Sequence, residues 1–199
     1  MDFDQCSKNI IEVGSRVYNN YLTHGTGGNI SFKISDDCIL ITRTGTNLGN
    51  LQQEDIVKID IEGHILSDRK DRKTPSSEML MHLKIYRRNL DICAIIHAHP
   101  PFSTSFAVAG IPLEESILPE VTNTVGLVPV ISYQKPHSQV LADNVAEAIK
   151  HNKYVFMANH GILGAGVDLL NICNNLENIE FLCKVIIYSK ILGNINKID

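Results

Sequence analysis

ICAIIHAHPP (92–101) closes a β-branched apolar run with two histidines one residue apart. On a strand, residues i and i+2 share a face with their Cβ atoms about 7 Å apart, so His97 and His99 can reach one cation while Ala98 points away. A hydrogen-bonded histidine pair at a strand end would satisfy the same pattern without any metal. The third histidine that tips the balance is His160, in YVFMANHGILGAG, where it leaves a second apolar run and is followed by a glycine that permits a tight turn. Three imidazoles, two close in sequence and one distant, with a coordination position left open, are the donor set of a catalytic zinc.

A carboxylate beside such a metal can be a ligand, an acid/base group or both, and Glu78 in PSSE is the candidate. The plainer reading is that Glu78 complements a helix dipole, worth about 0.3–1 kcal/mol, while Ser76 and Ser77 cap the helix. GTGGNIS (25–31) lies between a helix and a strand, so it is not a strand-then-helix dinucleotide fingerprint, and it lacks the P-loop lysine. It offers bare backbone N–H groups and the amide of Asn29, both suited to anions. TRTGTN (42–47) repeats that chemistry, and the serine pair at a helix N-terminus adds a third anion-compatible segment. Together they make a phosphate monoester a reasonable feature of the substrate.

These side chains need elements to carry them. Residues 3–22 show helical spacing of apolar positions (Phe3, Ile10, Val13, Val17, Tyr18, Tyr21), ended by HGTGG. NISFKI, CILIT, DIVKID and HILS are short β-rich runs separated by turn signals, as in an antiparallel meander. Residues 74–89 read as a helix with Thr74 or Ser76 as cap and Pro75 in its first turn. After the His97 strand, PFSTSFAVAG reads as a short helix closed by Gly110, and a proline-punctuated connection leads to VPVI. Residues 138–152 read as a helix, YVFMA and GILGAG as strands, and Asp168 as the cap of a helix over 169–192. His24, His64, His82, His137 and His151 fall in loops or on helix surfaces and read as solvated. With no repeat, low-complexity tract or linker, residues 1–199 read as one domain, a layered α/β sandwich with mainly antiparallel strands.

Composition narrows the partners. The 199 residues are 44% hydrophobic, enough for a sizeable core. With 18 basic against 22 acidic residues and net charge −4, no nucleic-acid or anionic-membrane surface is indicated. DRKDRK (68–73) alternates in sign and reads as a solvated loop, a weak draw on an anionic substrate being the alternative. The five cysteines are scattered without CxxC spacing, which argues for reduced, mostly buried thiols. MDFDQCSKNIIEVG lacks the long apolar core of a signal peptide, and no run approaches the ~18 apolar residues of a membrane span. The expectation is a soluble cytoplasmic protein acting on a small molecule.

The set GGN, TRTG, PSSE, HAH and NHG, in that order, resembles the class II aldolase/adducin family, most closely its fuculose-1-phosphate aldolase-like branch, over residues 10–192. The resemblance implies an α/β/α sandwich around a mostly antiparallel sheet, commonly a homotetramer with active sites at subunit interfaces. It implies a divalent metal, normally Zn2+, on His97, His99 and His160, with Glu78 at the metal as the catalytic carboxylate. It assigns the phosphate pocket to Gly28, Asn29, Thr44, Gly45, Ser76 and Ser77. The implied reaction cleaves a ketose 1-phosphate, such as L-fuculose 1-phosphate or a 5-deoxypentulose 1-phosphate, to dihydroxyacetone phosphate and an aldehyde. Zinc acts there as Lewis acid and Glu78 as proton shuttle.

Two departures qualify that substrate. The defining aldolase closes its site with a tyrosine-bearing C-terminal tail, whereas this sequence ends in NINKID. LPEVTN (118–123) places Glu120 where that aldolase has a tyrosine-bearing segment, at a separation from HAH like that of the catalytic glutamate of related methylthioribulose-phosphate dehydratases. Glu120 is thus a second acid/base group or a loop carboxylate. Dehydratases and sugar-phosphate epimerases are rivals on the same scaffold, the epimerases usually with aspartate in place of Glu78. Adducin-like interaction modules, which lack the metal site, are the rival of another class, and the three intact histidines weigh against them.

Overall fold

The computed structural model of the chain describes residues 2–66, 74–89, 91–114 and 116–198; the DRKDRK stretch falls outside them. Helix α1 (Phe3–Asn19) turns Cys6, Ile10, Val13 and Val17 inward, one apolar stripe at i, i+3, i+4 spacing. Strands β1 (Asn29–Ser35), β2 (Cys38–Thr42) and β3 (Ile56–Ile59) form the expected antiparallel meander. There follow α2 (Met79–Arg88), β4 (Ala94–Ala98), α3 (Pro101–Ala109), α4 (Pro119–Val125), β5 (Val130–Ile131), α5 (Gln139–Ile149), β6 (Tyr154–Met157), β7 (Gly161–Gly166) and α6 (Leu169–Leu192). The strands make one sheet in the order β3-β2-β1-β4-β7-β6-β5, antiparallel throughout except where β5 meets β6.

Strand alternation divides the core in two. Ile96 and Ala98 of β4 join Ile30, Phe156 and Ile162 in a cluster with α1, α3, α4 and α6. Ile95 joins Ile41, Val155 and Leu163 in a second cluster with α2 and α5. Because successive strand side chains point to opposite faces, the other strands feed both clusters, whereas β1 gives its apolar residues to the first and turns Asn29, Ser31 and Lys33 to the other face; the result is the α/β/α sandwich expected from the sequence. The central pair β4 and β7 is therefore covered on both sides. No helix among the described residues is long and apolar enough to cross a membrane.

The long helix α6 has the bounds expected, and its cap is Asp168, whose carboxylate accepts from the Asn171 N–H at 2.7 Å. Asp168→Ala should cost about 1 kcal/mol. In a thermal melt, that should lower Tm by about 2–4 °C; an unchanged Tm would show that the cap contributes nothing. Gly110 ends α3 in the left-handed region (φ 69°), again as read.

Four local readings are corrected. α1 stops at Asn19 rather than residue 22, and Tyr21 takes φ 59°. HILS contributes a single bridge, Ile65 to Ile59, among its described residues rather than a strand. α2 begins at Met79 rather than at 74, because the segment before it pairs with the end of β2: Pro75 bridges Arg43, and the Ser76 N–H donates to the Thr42 carbonyl at 3.0 Å. A backbone committed to a ladder cannot wind into a helix. The connection before VPVI contains α4, with Pro119 at its first turn, and only Val130 and Ile131 of VPVI form strand.

Candidate metal centre

The centre forms where β4, β1 and the β6–β7 hairpin end together. His97 is the penultimate residue of β4, directly opposite Asn29 on β1 and Leu163 on β7. It is fully buried, and its Nδ1 lies 2.9 Å from the Ile162 carbonyl, so Nδ1 carries the proton that donates there. That leaves Nε2 to face the site, the usual way a backbone carbonyl fixes the ligating nitrogen of a histidine.

His99 follows β4 and folds back to the same side, its ring 4.6 Å from that of His97, while Ala98 enters the opposite core as expected. Its ring is wedged between two glycines. A Cβ on Gly27 would lie 2.8 Å from His99 Nδ1, and one on Gly161 would lie 2.6 Å from His99 Cδ2 and collide with the Ala98 carbonyl oxygen. His160 comes from the three-residue loop that joins β6 to β7, a turn in which Asn159 takes φ 57° and the His160 N–H donates to the Met157 carbonyl.

The three histidines gather with ligand atoms all within 4.8 Å of one another, the His97 and His99 Nε2 atoms 2.9 Å apart. Imidazole nitrogens on a tetrahedral zinc stand about 3.3 Å apart, given Zn–N bonds of about 2.0–2.1 Å, so the donor set fits such an ion. Burial, then the charge of His97, lowers the pKa of His160 to about 4; burial, then the charges of His97 and His160, lowers that of His99 to about 3. Both rings are thus neutral near pH 7, the form in which an imidazole can ligate a metal.

Glu78 closes the site. It is the N-cap residue of α2, but its side chain makes no capping hydrogen bond and turns to the histidines instead. Its Oε2 lies 3.2 Å from His97 Nε2, and its Oε1 lies 3.3 Å from His160 Nε2. Oε2 also accepts from Asn29 Nδ2 at 2.9 Å, whereas Oε1 is buried with no hydrogen-bond partner. Burial alone would raise the pKa of this carboxyl. The charge of His97 and its hydrogen bond, with His160 and Asn29, more than offset that and hold it well below the usual carboxylate range. His97 is the reciprocal case: burial works against its charge, and Glu78 overcomes it and raises its pKa. A site that favours positive charge at this point suits a divalent cation.

The phosphate-compatible segments also converge. The Arg43–Pro75 bridge, the Thr44 N–H to Thr74 carbonyl bond (3.1 Å) and the Ser76 N–H to Thr42 carbonyl bond (3.0 Å) lay TRTG antiparallel beside TPSSE, with Thr44 opposite Thr74 and Ser76 opposite Thr42. Gly45 needs its φ of 74°; Gly28 (φ 78°) passes so close to β4 that a Cβ would lie 2.8 Å from the His97 carbonyl oxygen. The side chain of Asn29 is largely committed, to Glu78 and to His82. A cavity of about 750 Å³ opens beside His99 and His160, lined also by Tyr21, Thr23, His24 and Thr104. Glu120 lies on α4, and its side chain falls outside what the structure describes.

One histidine was misread from the sequence. His82 is not solvated: it has no exposed surface and sits between Asn29 and Ser31. The signal was the spacing Glu78, His82, Tyr86, which puts three polar side chains on one face of a helix whose neighbours in that stripe turn inward. The exposed positions of His24, His64, His137 and His151 agree with the reading made of them.

Fold and donor set define a class of protein, an α/β/α sandwich whose central strands deliver a three-histidine cluster that could hold a metal, with a carboxylate beside it. The chain belongs to the class II aldolase and adducin N-terminal domain family, whose model matches residues 8–187. It is 34% identical over 177 residues to an L-fuculose phosphate aldolase of Methanococcus maripaludis, covering 89% of this chain and 93% of that one. It is 32% identical over 181 residues to a 3-oxo-tetronate 4-phosphate decarboxylase of Haemophilus influenzae, covering 88% and 84%. A solved L-fuculose 1-phosphate aldolase superimposes with TM-score 0.89 at 33% identity, covering 98% of this chain and 91% of that one.

Proposed function

We propose that the protein is a zinc-dependent aldolase that cleaves a ketose 1-phosphate, such as L-fuculose 1-phosphate or a 5-deoxypentulose 1-phosphate, to dihydroxyacetone phosphate and an aldehyde. The observation that carries this reading is a carboxylate oxygen, Glu78 Oε1, buried without a hydrogen-bond partner at the edge of the histidine cluster. His97, His99 and His160 would hold a divalent metal, with Glu78 beside them, and the metal would supply Lewis acidity to the carbonyl of the substrate. Glu78 Oε1 receives and returns the proton, while Oε2 stays anchored on Asn29. The Thr44 and Ser76 N–H groups already serve the fold, so the phosphate falls to the hydroxyls of Thr44, Ser76 and Ser77 and to the backbone at Gly28 and Gly45. In this reading the enzyme works in the cytoplasm as a homotetramer on a small sugar phosphate, with Glu120 as a second acid/base group.

The decarboxylase relatives favour a second reading, and the chemistry connects the two. Loss of CO₂ from a 3-oxo-tetronate 4-phosphate and loss of an aldehyde from a ketose 1-phosphate leave the same three-carbon enediolate phosphate, which takes up a proton to become dihydroxyacetone phosphate. Only the leaving group differs: the aldehyde requires removal of a hydroxyl proton, whereas CO₂ leaves from a carboxylate with none to remove. A panel of fuculose, rhamnulose, ribulose, 5-deoxyribulose and methylthioribulose 1-phosphates with 3-oxo-tetronate 4-phosphate separates them, metal-loaded protein being assayed for dihydroxyacetone phosphate, aldehyde and CO₂. We expect dihydroxyacetone phosphate with equimolar aldehyde. CO₂ release without aldehyde cleavage makes the protein a decarboxylase, and water loss without dihydroxyacetone phosphate makes it a dehydratase.

A further inference from the structure

We propose that His82 is a positioning residue of this site: through a buried, one-directional chain of hydrogen bonds it sets the amide of Asn29 and thereby the carboxylate of Glu78. The catalytic consequence rests on the acid/base reading of Glu78; the direction of the chain does not.

The chain crosses between β1 and α2. Asn29 and Ser31 stand at i and i+2 on β1, so they share the face that α2 covers, and Glu78, His82 and Tyr86 follow one another at i+4 along that helix. The contacts run Glu78 Oε2 to Asn29 Nδ2 (2.9 Å), Asn29 Oδ1 to His82 Nε2 (2.6 Å), His82 Nδ1 to Ser31 Oγ (2.7 Å) and Ser31 Oγ to the Tyr86 hydroxyl (2.7 Å). Ser31 and His82 have no exposed surface, and Asn29 and Tyr86 have almost none, so water does not compete for any of these bonds.

The direction follows from donor and acceptor inventory, one step forcing the next. An ionised Glu78 only accepts, so Asn29 turns Nδ2 toward it and presents Oδ1 to His82. His82 must then donate from Nε2, which in a neutral ring leaves Nδ1 bare. Ser31 therefore donates to Nδ1, and its oxygen accepts from the Tyr86 hydroxyl. Burial, with the nearby charge of His97, lowers the pKa of His82 to about 3, so the ring is the neutral Nε2–H tautomer throughout the working range. Every donor in the chain thus points toward the carboxylate.

The two ends of an asparagine amide are almost the same size, so packing does not choose between them; a donor placed at Oδ1 does. Without His82, Asn29 Oδ1 loses its buried donor, so the amide is held only at its Glu78 end, is free to swing, and no longer fixes the carboxylate against the histidines. Metal ligation and phosphate contacts are left as they were, which makes the effect specific to turnover.

The test compares full-length, metal-loaded wild-type protein with His82→Leu and His82→Gln, the latter keeping an N–H for Asn29 and an acceptor for Ser31. With L-fuculose 1-phosphate, His82→Leu should lower kcat by about 10–100-fold. KM and metal per chain should stay unchanged, and His82→Gln should recover most of the loss. Nitrogen-15 NMR of the wild-type imidazole should show a protonated Nε2 and a bare Nδ1. A folded, metal-loaded His82→Gln as slow as His82→Leu would reduce His82 to a space-filling role, and an Nδ1–H ring or an imidazolium would overturn the chain direction. If neither variant folds, the wild-type tautomer decides. Full activity in Glu78→Gln would sink the acid/base reading while leaving the tautomer intact, so the two failures are told apart.

Discussion

Glu78→Gln is expected to slow carbon–carbon cleavage by about 10²–10⁴-fold while the chain keeps its metal. Glutamine has the same shape, and its carbonyl oxygen can accept from Asn29 Nδ2 as the carboxylate now does at 2.9 Å, so the arrangement of β1 against α2 persists. The three imidazole ligands are untouched: His97 stays fixed by the Ile162 carbonyl, His99 by its glycine walls and His160 by its turn. What the substitution removes is a group able to take a proton at the Oε1 position, together with the negative charge that His97 and His160 now face. Steady-state cleavage and metal analysis on the same preparation check this. Undiminished turnover would remove Glu78 from the chemistry. Loss of turnover together with loss of metal would assign its oxygen to the coordination shell instead.

The sequence and the structure agree most closely where one physical signal acts alone. α6 was legible because an aspartate cap opens a long, mostly apolar stretch, and β4 because a β-branched run buried on both faces has no competing helical reading. The start of α2 was not legible: TPSSE carries every local mark of a helix N-terminus, yet the edge of β2 claims its backbone first, a long-range pairing that local pattern cannot show. The same limit hid α4, short and proline-led, whose Val121 and Val125 gain their reason only from the core that α6 completes. In the site, the gathering of His97, His99 and His160 into a cluster that could hold a metal was legible by spacing. The chain through His82 was not, because a histidine on a helix reads as solvated until the strand it faces is known to present Asn29 and Ser31. A cluster set by spacing along strands leaves a pattern in sequence; a contact between a helix and a strand leaves one only when both elements are placed.

Gly161→Ala is expected to lower metal affinity by about 10–100-fold, although the residue donates nothing to the metal. Gly161 opens β7 directly after His160, and there the strand crosses β4 so closely that an added Cβ would meet the Ala98 carbonyl oxygen and lie 2.6 Å from His99 Cδ2. The first obstacle is backbone and cannot rotate aside. The second is the ring whose Nε2 must stay 2.9 Å from that of His97. Relief therefore comes either from parting β4 and β7 at the point where they deliver the histidines, or from swinging His99 out of the cluster, and both spoil the three-nitrogen geometry. Gly27 blocks the second route, since its own missing Cβ is the space that His99 Nδ1 occupies on the other side. Overpacking of this kind also costs about 1–3 kcal/mol of stability, so a falling Tm is expected but does not discriminate. Gly166→Ala is the control: it lies on the same strand, where a Cβ would make only ordinary contacts of 3.6 Å with Ile172, and it should leave metal content unchanged. Metal titration of the three proteins reads the difference, with about one ion per chain expected in the wild type and the control. Equal affinity in Gly161→Ala would mean that the histidine cluster tolerates a shift of its scaffold. A wild type that takes up no metal after supplementation would return the protein to the interaction modules of its family.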